Sequence, residues 1–63
     1  MTQAEIIRWA ISAIKTKRIS FWDGYEALKK EHPVAAEKLL EELRNLNEKQ
    51  GELEILLAKE EER

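Results

Sequence analysis

His32 is the single histidine of this 63-residue chain, which has no cysteine, so these two facts bound its possible chemistry. A nucleophilic triad needs a hydroxyl or thiol nucleophile, an imidazole base and an orienting acid. The available hydroxyls include Thr2 and Ser20, which are better explained as helix caps. His32 directly precedes Pro33, a position typical of a helix boundary. We therefore expect no catalytic residue.

The residues needed to hold a metal are also missing from the sequence. A structural zinc site needs several cysteines and histidines. The Glu-x-x-His pair of di-metal bundles is absent, because Lys29 stands three residues before His32. Glutamates such as Glu37 and Glu41 recur at helical spacing, which is typical of a solvated helix face. Phosphate-binding glycine motifs are absent too. We expect a non-enzymatic protein without metal or cofactor.

The aromatic residues are mostly candidates for the core, and Trp22 is the exception. It lies beside the apolar stripe formed by Phe21, Tyr25 and Leu28 and away from the centre of that stripe. Tryptophan is enriched among the residues that dominate binding energy at protein interfaces. The sequence therefore predicts a patch for an unidentified protein partner, formed by Trp22, Asp23 and Glu26.

Basic side chains support an alternative, a dimeric DNA-binding regulator. Residues 13–30 fit a helix-turn-helix pattern with its turn at 18–20, and five side chains are then candidates to contact phosphates: Lys15, Lys17, Arg18, Lys29 and Lys30. Bases are read mainly by Arg, Lys, Asn or Gln near the start of the second helix. Phe21, Trp22 and Asp23 occupy that position, and the net charge of −2 also disfavours DNA. Protein binding is the favoured function.

The length allows a single helical domain over residues 1–63. A chain this short buries only about 60% of its unfolded surface, so oligomerisation or very regular helix packing must supply stability. Residues 1–34 carry a charge of +2 and residues 35–63 a charge of −4. No apolar run approaches the length needed to span a membrane, and the start of the chain does not resemble a signal peptide. We expect a cytoplasmic protein.

Cap and breaker residues predict an all-α fold of three helices, at about 3–17, 21–31 and 34–61. Thr2 and Glu5 have the spacing of a capping box. Ser20 is the next cap candidate, and Gly24 weakens the second helix or marks a close helix crossing. Pro33 ends the second helix and suits the first turn of the third.

The third predicted helix carries a heptad seam, which is a row of a and d positions spaced alternately three and four residues apart: Ala36, Leu39, Leu43, Leu46, Gln50, Leu53 and Leu57. Two short helices would cover only its first half, which leaves the second half to another chain. We therefore expect a helical hairpin at 1–33 and a dimerising helix at 34–63. The predicted homodimer interface comprises Leu39, Leu43, Leu46, Gln50, Leu53, Leu56 and Leu57, with the strand direction left open.

Gly51 is the residue on which this interpretation depends. It lies at an outer b position of the seam, so a continuous helix is expected. If Gly51 instead ends the helix, residues 52–62 fold back and close a four-helix monomer. The predicted function is that of an oligomeric protein-interaction or regulatory module. A general prior places small helical proteins of this kind among the accessory proteins of phages and other mobile elements.

Overall fold

The computed structural model describes residues 1–62, and they form a hairpin of two long helices. Helix α1 spans Gln3–Leu28 and helix α2 spans Pro33–Glu61. Residues 29–32 form the turn between them. The hairpin measures 50 × 17 × 10 Å, so it is a single layer of helices with two broad faces. The all-α prediction is confirmed, since no strand occurs in residues 1–62.

The ends of the helices agree with the predicted caps. The Thr2 side-chain oxygen accepts a hydrogen bond from the Glu5 backbone N–H at 3.2 Å, as the capping box requires. At the turn, the His32 N–H donates to the Leu28 carbonyl at 2.8 Å. Pro33 then occupies the first position of α2, where its missing N–H costs nothing.

The predicted count of three helices is wrong, because α1 continues without a break through residues 18–20 to Leu28. No glycine or proline lies between Thr2 and Phe21, so nothing in the backbone forces a turn there. Ser20 lies in the helix interior and starts no new helix. The apolar stripes at Ile7–Ile14 and Phe21–Leu28 belong to one heptad register, which Arg18 bridges.

Helix α2 is continuous through Gly51, as the register of its seam predicted. The four-helix monomer that required a break at Gly51 is therefore not formed. A continuous α1 also covers more of the heptad seam on α2 than two short helices would. At 1.5 Å per residue α1 is about 39 Å long and α2 about 44 Å. Because the two helices match in length, α1 reaches the second half of the seam. The premise that this half has no cover within the chain is wrong for Leu53 and Leu57, which are half-buried, whereas Ile55 and Leu56 are exposed.

The core lies along the two facing seams, and it is thin. The buried side chains are apolar and come from both helices: Ile7, Ile11, Ala36, Leu43 and Leu46. Even these retain between 2% and 8% of their accessible surface. A single pair of helices buries one face of each and leaves the rest of both in water.

Candidate interaction surface

The centre of the hairpin holds a polar contact between the two seams. The Arg18 Nη1 donates to the Gln50 Oε1 at 2.6 Å, and the Gln50 Nε2 donates to Glu54 at 3.0 Å. Both Arg18 and Gln50 are half-buried and take core positions in their heptads. A polar pair at core positions favours the one alignment in which its members meet. This contact fixes the register of α1 against α2.

A second polar contact joins the far ends of the helices. The Arg8 guanidinium binds the Glu61 carboxylate, and both side chains are about half exposed. An exposed ion pair contributes little stability. It does show that Arg8 and Glu61 lie on the same broad face of the hairpin.

The residues predicted to form a dimer interface lie mainly between α1 and α2. Leu43 and Leu46 are buried within the chain, and Leu39, Leu53 and Leu57 are half-buried. Leu56 is the most open of the seven, at 44% exposure. Packing against α1 thus accounts for most of the seam. Contact of these residues with a second chain stays a prediction.

Trp22 is half exposed and stands between two shallow grooves on one broad face, which we call the Trp22 face. The larger groove has a volume of about 410 Å³ and is lined by Lys15, Arg18, Ile19, Trp22, Asp23 and Leu43. The smaller one, of about 230 Å³, adds Leu40, Arg44 and Asn47 from α2. The Trp22 face therefore combines an apolar centre with three basic side chains and one carboxylate.

The other members of the predicted protein-binding patch are also on the surface. Asp23 lines the larger groove and is exposed. Glu26 binds Lys29 at 2.7 Å, one helical turn along the chain. The hydrogen bond and the charge of Glu26 raise the pKa of Lys29 above its usual 10.5. Trp22 itself packs against Tyr25, with ring centroids 5.4 Å apart. The structure thus places Trp22 and Asp23 at one groove and occupies Glu26 with a local ion pair.

The helix-turn-helix predicted over residues 13–30 is not formed. Its turn was expected at Arg18, Ile19 and Ser20, which lie inside the continuous α1. The five candidate phosphate ligands are also dispersed. Lys15 and Arg18 line the larger groove on the Trp22 face. The Lys17 Nζ lies 5.9 Å from the centre of the Phe21 ring. Lys29 and Lys30 lie at the turn.

Four apolar side chains are exposed at the open end of the hairpin, opposite the turn. Trp9 is 60% exposed, which contradicts its expected place in the core, and Ile55 is 62% exposed, with Ile6 and Leu56 also open. The heptad register indicates the exposure of Trp9 and Ile55, because both take the outermost f position of their helices. An apolar residue at that position finds no cover in a two-helix hairpin.

Residues 1–62 contain no group of three or more His, Asp or Glu side chains placed to hold a metal ion. In the same residues no helix is long and apolar enough to cross a membrane. Comparison with protein-family models, curated proteins and solved structures gives no match.

Proposed function

We propose that this chain is a non-enzymatic protein-interaction module that associates with itself as a homodimer through helix packing. The observation that carries the proposal is the unfinished burial of its apolar side chains. Within residues 1–62, eight large apolar side chains are exposed, and they include both tryptophans. Scattered exposed apolar residues are normal on a monomer, but this many on a 63-residue chain are characteristic of a surface that another helix covers.

The accessible surface of the hairpin supports this proposal. The structure exposes 5037 Å². A compact monomer of 7.4 kDa is expected to expose about 4,200 Å². The excess arises because both broad faces of the single helix layer meet water. Packing a second hairpin on one face converts one layer into two, which is the arrangement that most stable domains adopt.

The distribution of charge also favours a second copy of the chain over a nucleic acid as the first partner. The chain carries a net charge of −2, and its basic side chains are shared between the groove, the turn and contacts within the chain. Regulation of a second protein through Trp22 and Asp23 stays a prediction, and it requires a dimer that leaves the groove beside Trp22 open. An accessory role in a phage and a cytoplasmic location stay predictions.

Thermal unfolding at several concentrations tests the proposed self-association. If the folded state is a dimer, mass action raises the midpoint of the circular dichroism transition as the protein concentration rises over about a hundredfold range. A midpoint that is the same at every concentration would contradict the proposal. Binding to random-sequence DNA at low salt, with a strong salt dependence, would instead support the nucleic-acid alternative.

A further inference from the structure

We infer that the second copy docks on the Trp22 face, with the two hairpins side by side and turn beside turn, so that α1 of each chain lies over α2 of the other. This inference rests on the proposed self-association and adds its surface and its direction. It also differs from the interface predicted from the seam, since it uses the outer faces of the hairpin. Four observations carry it.

The two glycines of the chain provide the first observation. Both lie inside helices, where glycine costs up to about 1 kcal/mol relative to alanine. Gly24 has a reason within the chain, because a Cβ there would lie 3.2 Å from the Leu39 Cδ1. A Cβ at Gly51 would meet nothing within 4 Å. The close approach of Leu39 explains why position 24 has no side chain. The close approach of another chain would explain the same at position 51.

The position of Gly51 supplies the second observation. Gly51 follows Arg44 by seven residues and Asn47 by four, so the three share one face of α2. Arg44 and Asn47 line the smaller groove beside Trp22. Gly51 therefore lies on the Trp22 face, in line with the groove.

Shape provides the third observation. On the Trp22 face α1 presents large exposed side chains, with Ile19 at 65% exposure and Trp22 at 50%. On the same face α2 presents two small residues, Gly51 and, one heptad later, Ala58. Rotation by 180° about an axis parallel to the long axis of the hairpin sets α1 of one copy over α2 of the other at the same height, so that Gly51 of one chain faces the stretch between Lys15 and Ile19 of the other. The same contact then forms twice, as a two-fold dimer requires.

Charge provides the fourth observation and selects the direction. On the Trp22 face near the open end of the hairpin, α1 carries the basic residues Arg8, Lys15 and Arg18, and α2 carries Glu54 and Glu61. Near the turn the signs are reversed, with Asp23 on α1 and Arg44 on α2. With turn beside turn, residues at the same height face each other, so charged groups of one chain face groups of opposite sign on the other. An arrangement with the turns at opposite ends sets α1 against α1 and opposes like charges, which disfavours it.

The available area is sufficient for such an interface. The hairpin exposes about 800 Å² more than a compact monomer of its mass. Each partner in a stable complex of standard size buries about 800 Å². Covering one broad face thus brings the exposed surface of each chain close to that of an ordinary small domain.

Gly51→Leu tests the face, and Glu52→Leu is its matched control. Both substitutions place leucine on the outer side of α2, and a Cβ at position 51 meets no neighbour in the chain. Position 52 is an outer c position, on the broad face opposite the Trp22 face. We expect Gly51→Leu to raise the dimer dissociation constant about tenfold or more by overpacking, and Glu52→Leu to leave it nearly unchanged. Sedimentation velocity measures both, and circular dichroism checks that both variants stay helical.

A single spin label tests the direction. The chain has no cysteine, so Glu31→Cys places one label at the turn of each hairpin. Turn beside turn puts the two labels within roughly two helix diameters, about 20 Å, by pulsed electron resonance. A separation near the 50 Å length of the hairpin overturns the direction. A dimer indifferent to Gly51→Leu overturns the face and leaves self-association standing, whereas a chain that is monomeric throughout overturns both.

Discussion

At the scale of single residues, the contact between Arg18 and Gln50 favours one register of α1 against α2. The side chains meet at 2.6 Å within two otherwise apolar seams. A half-buried polar pair contributes less stability than apolar packing would, because desolvation offsets its attraction. Its benefit is specificity, since a shift by one heptad separates the partners and leaves both half-buried polar groups unpaired.

Replacing both members of this pair by leucine should therefore raise stability. We expect Arg18→Leu with Gln50→Leu to increase the free energy of unfolding by roughly 1–2 kcal/mol, the value of completing an apolar seam. Urea unfolding at a fixed protein concentration measures the change. A double variant less stable than the wild type would show that the polar pair stabilises the fold beyond fixing its register.

Gly24 provides a second residue-scale prediction. A side chain at this position meets Leu39, so Gly24→Leu should overpack the helix crossing and lower the free energy of unfolding by about 1–3 kcal/mol. Ala27→Leu adds a leucine side chain at an exposed position of α1 and is expected to change stability by no more than about 0.5 kcal/mol. Equal effects of the two substitutions in urea unfolding would contradict the close crossing.

At the scale of elements, the unbroken α1 determines the shape of the molecule. Its seam runs in one register from Ile7 to Leu28, interrupted only by Arg18. Because α1 matches α2 in length, the chain closes as a simple hairpin. Substitutions at Thr2 and Ser20 best distinguish this two-helix hairpin from a fold of three helices.

Alanine at each of these two positions should have opposite consequences. Thr2 caps α1, so Thr2→Ala removes a hydrogen bond and should lower the free energy of unfolding by about 0.5–2 kcal/mol. Ser20 lies in the interior of α1, where alanine is the better helix former, so Ser20→Ala should be neutral or slightly stabilising. Urea unfolding compares the two variants. A loss at Ser20 as large as that at Thr2 would indicate a helix start there.

The sequence was sufficient for parts of this fold, and the reasons differ by element. The cap at Thr2, the turn before Pro33 and the continuity of α2 each follow from local chemistry. The break predicted at residue 18 came from reading Arg18 as part of a turn and Ser20 as a cap. Arg18 is tolerated in the seam because Gln50 lies opposite, and that pairing depends on the fold of the whole chain. Trp22 was predicted as a surface residue, but its groove requires side chains from both helices.

At the scale of the whole molecule, the hairpin is a single layer that lacks a covered second face. Its thickness is about that of one helix, and its largest apolar side chains, including Trp9 and Trp22, remain in contact with water. So small a core gives little stability to a separate chain. The proposed association therefore rests on the shape of the fold, even though α1 half-buries Leu53 and Leu57 within the chain.

Sedimentation equilibrium tests this central claim most directly. As the protein concentration rises, the average mass should climb from the 7.4 kDa of one chain toward twice that value and then level off. A plateau at two chains supports a closed, two-fold assembly. A mass of 7.4 kDa at every concentration would contradict the account, because the exposed apolar face would then be stable in water without a second copy.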